Sequence, residues 1–149
     1  MDDPFIGTWV LNLERSTYTG ARPAANQVQR RQYSVLDGGW QQMILTSQTP
    51  LGDPTFQISV FREDGRPYPV QTNATLGPFM SREQATNVTR SYTRIDKNSV
   101  EFTPYTDGVA GLPSVRVVQP GGMTFFETTR GTNAQGVAIN NVLVFDRVR

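Results

Sequence analysis

The stretch Phe5-Ile6-Gly7-Thr8-Trp9-Val10-Leu11 decides the fold. A Gly-x-Trp opening, followed by strand after strand, places an indole at the mouth of an all-β meander. Such a residue suits a plug that closes one end of a barrel, and barrels of this size often enclose one small apolar ligand. Gly7 to Leu13 reads as the first strand, with Trp9, Leu11 and Leu13 on one face. The polar, Pro-containing stretch Ser16 to Asn26 reads as a loop over a barrel end.

Alternation and turn chemistry continue to the last residue. Strands are expected at Val28 to Leu36, Trp40 to Ser47 and Thr55 to Phe61, with a hairpin turn at Asp37-Gly38-Gly39. Glu63-Asp64-Gly65 reads as a turn into a short strand, Tyr68 to Thr72. Leu76 to Ala85 has no period, and Ser81-Arg82-Glu83 begins at most one helical turn. Asn87 to Ile95 and Ser99 to Tyr105 form a hairpin across Asp96-Lys97-Asn98. After a loop from Thr106 to Pro113, Ser114 to Gln119 pairs with Met123 to Arg130, and Val137 to Val148 is the closing strand. Nine or ten strands with short links favour antiparallel neighbours, and closure removes exposed edges. The expected fold is one all-β domain over residues 1–149, an up-and-down antiparallel barrel of about 8–10 strands. A sandwich is the alternative, but its crossings need longer connections.

Composition narrows the chemistry. Hydrophobic residues make up 37% and charged residues 18% of 149, a palette that supports a β-sheet core. Net charge is +1, so nothing marks a nucleic-acid or anionic-membrane partner. There is no Cys and no His. Thiol nucleophiles, disulfides, His or Cys metal and haem ligation, and a Ser-His-Asp triad are thereby excluded. The acidic residues are dispersed, so no metal is expected, and no cofactor motif is present. No run approaches the roughly 20 apolar residues that span a bilayer. Met1-Asp2-Asp3 is acidic and leads straight into the fold, unlike a signal peptide; the compartment, cytoplasmic or exported, stays open, as does a homodimer.

Phe5-Ile6-Gly7-Thr8-Trp9-Val10-Leu11 and the closing Asn141-Val142-Leu143-Val144-Phe145-Asp146-Arg147-Val148 resemble the two ends of fatty-acid-binding proteins, within the lipocalin or calycin group. Gly-Thr-Trp-Val-Leu-Asn, Asp-Gly-Arg-Pro-Tyr-Pro-Val and Gly-Thr-Asn-Ala-Gln-Gly with Asn-Asn-Val-Leu-Val-Phe are similar, over most of the chain, to small bacterial lipocalin-like proteins. The resemblance implies the barrel. It does not carry over the ligand, because the Arg and Tyr that hold a carboxylate on the last strand of fatty-acid-binding proteins correspond here to Leu143 and Phe145. It also implies a C-terminal basic residue, Arg147 or Arg149, packed over Trp9 by cation–π contact.

Candidate site residues follow from facing. Glu127 shares a mostly apolar face with Met123, Phe125 and Thr129. If inward, it is a desolvated carboxylate with a raised pKa, suited to general acid or base work. Adjacent Phe125-Phe126 leaves the facing ambiguous, and the solvated placement is the commoner one. Tyr33, on the face of Arg31, and Tyr92, on the face of Val88, Arg90 and Arg94, would assist. Arg116 and Arg130 are candidate anchors for an anion. Trp40 reads as a rim residue or ligand lid, with Phe56, Phe125, Asn141, Leu143 and Phe145 as further wall candidates. On the last strand, either Ile139, Asn141, Leu143 and Phe145 or Asn140, Val142 and Val144 face inward.

These residues support binding of a small hydrophobic or aromatic molecule inside the barrel. The alternative is a cofactor-independent isomerase, cyclase or lyase using Glu127 with Tyr33, Tyr92 and an Arg. A third reading is a structural protein whose barrel is filled by its own side chains. An open cavity, and what meets Glu127, discriminates among them.

Overall fold

The computed structural model describes residues 3–20, 22–49, 51–72 and 87–148. Leu76 to Ala85, the Asn-Ala-Thr triplet at 73–75 and Arg149 lie outside the described residues. Among the described residues there are eleven strands: β1 (Gly7–Thr17), β2 (Arg30–Val35), β3 (Gln41–Gln48), β4 (Pro54–Phe61), β5 (Asp64–Thr72), β6 (Val88–Asp96), β7 (Ser99–Thr106), β8 (Val109–Ala110), β9 (Ser114–Val118), β10 (Thr124–Thr132) and β11 (Ala138–Arg147). Short 3-10 turns lie at Ala25–Gln27 and Asp37–Gly39. No helix among the described residues is long and apolar enough to cross a membrane.

Neighbouring strands pair antiparallel in chain order, β1 pairs with β11, and β6 pairs with β7. The sheet therefore closes into an up-and-down barrel of ten strands, with β8 a short appendage on β7. The expected barrel is the observed one. Boundaries move, and one short strand is added: β1 runs on to Thr17, β5 begins at Asp64 where a turn was expected, β10 reaches Thr132 before the chain turns back, and β8 lies in the stretch expected to be a loop.

One barrel end is closed by aromatic packing. Trp9, Phe125 and Phe145 are 0% exposed. Trp9 meets Phe125 edge-on at 4.8 Å, and Phe125 stacks on Phe145 at 4.7 Å. Phe5 folds over them, accepting the Trp9 indole N–H at its carbonyl (2.9 Å) and meeting Phe125 at 6.0 Å. Arg147 lies over the Trp9 ring at 4.1 Å and donates to the carbonyls of Ile6 and Pro4, each at 2.6 Å. The plug and its basic cover are as the sequence implied.

Gly7 makes this cover fit. Its φ is +132°, and a Cβ there would stand 2.5 Å from Arg147 Nη1. The backbone conformation favours glycine, and a Cβ there would also displace the tip of the Arg147 side chain. On β11 the inward set includes Leu143 and Phe145, because Phe145 belongs to the core and Leu143 packs against it.

Candidate functional site

The opposite barrel end carries the longer connections, and there β3, β4 and the segment that leads into β2 leave a hollow. It measures about 360 Å³ and is lined by Pro23, Gln27, Gln29, Leu45, Ser47, Gln48, Thr49, Thr55, Phe56 and Gln57. Gln29, Leu45, Ser47 and Gln57 belong to the inward-facing rows that continue into Arg31, Tyr33, Met43 and Ser59. Ser47 is held by donating to the Gln27 carbonyl at 2.6 Å. A larger hollow of about 430 Å³ sits at the plugged end, outside the barrel core, between Pro4 and turn residues such as Asn98 and Gly121. Its lining offers no ionisable group except Lys97.

Beneath the mouth lies a buried charge cluster. Glu127, Arg31 and Arg116 are only 5%, 5% and 3% exposed. Arg31 donates to both carboxylate oxygens of Glu127, from Nη1 at 2.7 Å and from Nη2 at 3.0 Å. Arg116 Nε donates to Oε1 at 3.1 Å. Arg31 also reaches Tyr33 Oη (3.2 Å) and Gln29 Oε1 (3.0 Å from Nη2), so its planar fork is fully used. Its guanidinium lies over Phe145 at 4.3 Å, and that of Arg116 over Phe102 at 4.4 Å. Register explains the meeting of Arg116 and Glu127, which are direct partners across β9 and β10. Arg31 comes from the far side of β1 and β11 and crosses the barrel over Phe145.

This geometry corrects the expected chemistry of Glu127. The carboxylate is inside, not on the solvated face, because the face it shares with Phe125 is the core face. Burial pushes its pKa up, but the charge and hydrogen bonds of Arg31, with the charges of Arg116 and Arg90, outweigh burial and hold it at about 2. Glu127 is a fixed anion at neutral pH, not an acid or base of raised pKa. Burial acts to lower the Arg31 pKa, but Glu127 reverses the balance and raises it above its ordinary value.

The other expected site residues separate into two groups. Tyr33, Arg116 and Phe145 join the cluster around Glu127. Tyr92 is 1% exposed, stacks on Phe61 at 3.8 Å and lies 5.6 Å from the Arg116 guanidinium. Leu143 packs against the core, and Phe56 lines the mouth. Phe125 sits in the aromatic plug, away from the mouth. Trp40 stands at the plugged end, with Tyr68 edge-on at 5.5 Å and Arg62 above it at 4.4 Å, so it is a rim residue and not a lid on the hollow. Arg130 is exposed and donates to Asn140 Oδ1 at 3.0 Å, outside the barrel, so it is no interior anchor. Asn141 accepts from the Thr19 backbone N–H at 2.7 Å and so tethers the end of β1 rather than a ligand.

Arg31, Arg90 and Gln29 were not among the expected site residues. Their signal was weak: polar residues alternating with Tyr33 or Tyr92 on one strand face read as solvated. Tyr18 was missed too. Burial pushes its phenol pKa up, while the charges of Arg31 and Arg22 pull it down, which places it within reach of the cluster's field.

No protein-family model matches the chain, and no curated protein matches it. Solved structures do. The fluorescent protein UnaG superposes with a TM-score of 0.61 at 16% identity, over 99% of this chain and 100% of that chain. A variant of UnaG gives 0.62 at 15%, over 100% and 99%. At that identity the likeness establishes the fold alone. It agrees with the closed ten-stranded antiparallel barrel.

Proposed function

We propose that this barrel binds a small apolar or aromatic molecule at its open end. One observation carries the reading: the hollow of about 360 Å³ at the mouth, walled by β3, β4 and the segment that leads into β2. A volume of that order suits one small ligand, and mouths of barrels are common places for such sites. Leu45 and Phe56 provide apolar wall, while Gln27, Gln29 and Gln57 provide a few polar groups that orient a guest. The resemblance of the chain's motifs to small lipocalin-like proteins points the same way. We set the catalytic alternative second because Glu127 accepts hydrogen bonds from two guanidiniums, which favour its charged form.

The test is calorimetric titration with 2-naphthalenemethanol, a neutral aromatic probe, alongside native mass spectrometry of protein purified from its source. One-to-one binding is expected in the parent chain. Thr55→Trp fills the mouth and weakens binding at least tenfold, whereas Val35→Trp, at the exposed far end of β2, leaves it unchanged. Unchanged binding in Thr55→Trp overturns the reading. So does the absence of both probe binding and any co-purified molecule.

A further inference from the structure

The barrel interior holds, on β4 and β6, three polar atoms that no hydrogen bond uses. Ser59 Oγ, Arg90 Nε and Tyr92 Oη are buried and have no hydrogen-bond partner. Their grouping follows from the strands. Gln57, Ser59 and Phe61 alternate along the inner face of β4; Arg90 and Tyr92 are consecutive inner positions of β6, and only β5 lies between. Two contacts bridge that gap. Arg90 Nη2 donates to Gln57 Oε1 at 2.8 Å, and Phe61 stacks on Tyr92 at 3.8 Å. Ser59 stands between the two β4 residues that make these contacts, which places the three unpartnered groups on one side of the interior, on inner faces separated by β5. Gln57 also lines the mouth hollow, which puts Ser59 one inward step deeper than the hollow's wall.

The charge balance points to what is missing. Among the described residues, Arg31, Arg116 and Arg90 all act on one interior carboxylate, Glu127. Arg31 makes two hydrogen bonds to it and Arg116 one, whereas the side-chain hydrogen bond of Arg90 among the described residues goes to a neutral amide. Arg90 and Arg116 approach the same Phe102 ring, at 5.9 and 4.4 Å. A partly buried cation without a hydrogen-bonded counter-charge among the described residues, and buried donors without acceptors, are both costly. One anion placed among Ser59, Arg90 and Tyr92 relieves both costs.

We propose that Ser59, Arg90 and Tyr92 bind the carboxylate of a small aromatic or apolar acid whose body fills the mouth. This rests on the reading that the mouth admits a small molecule. The chemistry fits a carboxylate. Its two oxygens offer about four lone-pair sites, enough for the Arg90 N–H and two hydroxyls. The guanidinium bond is charge-assisted, and the ligand's single charge offsets that of Arg90. A tetrahedral phosphate dianion would need more donors than these three groups hold. The site is not on the closing strand, where Leu143 and Phe145 are apolar.

The experiment compares 2-naphthoate with 2-naphthalenemethanol, which share a ring and differ in charge, by calorimetry on the full chain. Naphthoate is expected to bind at least about tenfold tighter. Tyr92→Phe and Ser59→Ala each weaken naphthoate severalfold and leave the alcohol unchanged. Neither lowers the melting temperature, because neither hydroxyl has a partner to lose. That separates a ligand-binding role from a structural one. Arg90→Gln removes the preference for the acid. Equal affinity of acid and alcohol overturns the carboxylate site and leaves the mouth reading standing. An acid preference that survives the Ser59→Ala, Tyr92→Phe double variant also overturns it, as does tighter binding of 2-naphthyl phosphate than of 2-naphthoate. Failure of all three probes, with no co-purified molecule, removes the mouth reading and this site together.

Discussion

Glu127 shows how much a single side chain's role depends on its partners. As a lone carboxylate among apolar residues it would be protonated more easily than in water; between two guanidiniums it is harder to protonate. Its folded pKa of about 2 lies below the unfolded value of 4.5. The stabilisation from this shift is fully present above the unfolded value and is lost as pH falls through the folded one. Urea denaturation between pH 6 and pH 2 is therefore expected to show a fall in stability that is shallower in Glu127→Gln; identical pH profiles would refute the assignment. At pH 7 Glu127→Gln leaves two buried guanidiniums without a counter-charge and costs about 3–5 kcal/mol, read as a lower urea midpoint. Arg31→Lys is not a conservative change here, since an ammonium cannot span both carboxylate oxygens and Gln29 at once.

At the scale of elements, the Gly-x-Trp opening works with the last strand rather than alone. Trp9 pairs with Arg147 across β1 and β11, and Arg147 returns over the indole to hold Ile6 and Pro4. Gly7→Ala must move Arg147 and adopt a positive φ; we expect a loss of about 1–3 kcal/mol by thermal denaturation. Because both residues act in one contact, Gly7→Ala and Arg147→Ala are expected to be clearly non-additive in a double-mutant cycle. Simple additivity would mean that the glycine is needed for its backbone only. The hairpin at Asp37–Gly39 was readable beforehand for the same kind of reason, since Gly38 and Gly39 take φ of +76° and +79°. The facing of β10 was not readable, because Phe125 and Phe126 fit either side equally well. Packing chose Phe125, which stacks on Phe145 and meets Trp9.

At the scale of the whole molecule, closure separates a plugged end from an open one. Phe125 touches Phe5, Trp9, Tyr33 and Phe145 in the plug. Phe125→Ala is expected to cost about 3–5 kcal/mol and to diminish the near-ultraviolet circular dichroism of the aromatic cluster. Because the plug stands at the other end, milder changes there that preserve folding, such as Phe125→Leu, should leave ligand affinity at the mouth intact. A ligand bound to the folded barrel alone raises stability by about 2.7 kcal/mol at one hundred times its dissociation constant. Thermal shift in the presence of 2-naphthoate measures this, and a shift lost in Thr55→Trp places the ligand at the mouth.

Alternation, turn residues and short links by themselves determined that this chain is an antiparallel meander, that it closes, and that Trp9 plugs one end; the arginine over Trp9 was implied by the resemblance of the chain's two ends. Each of those signals is local or lies at a chain end, so neighbouring residues suffice to read it. Tertiary structure alone decided which way β10 faces, that Arg31 meets Glu127 across 96 residues, and that Arg90 donates to the Gln57 amide. Those outcomes depend on side chains from strands that are distant in sequence and share one interior, where burial and opposite charge act together and no local pattern records their sum.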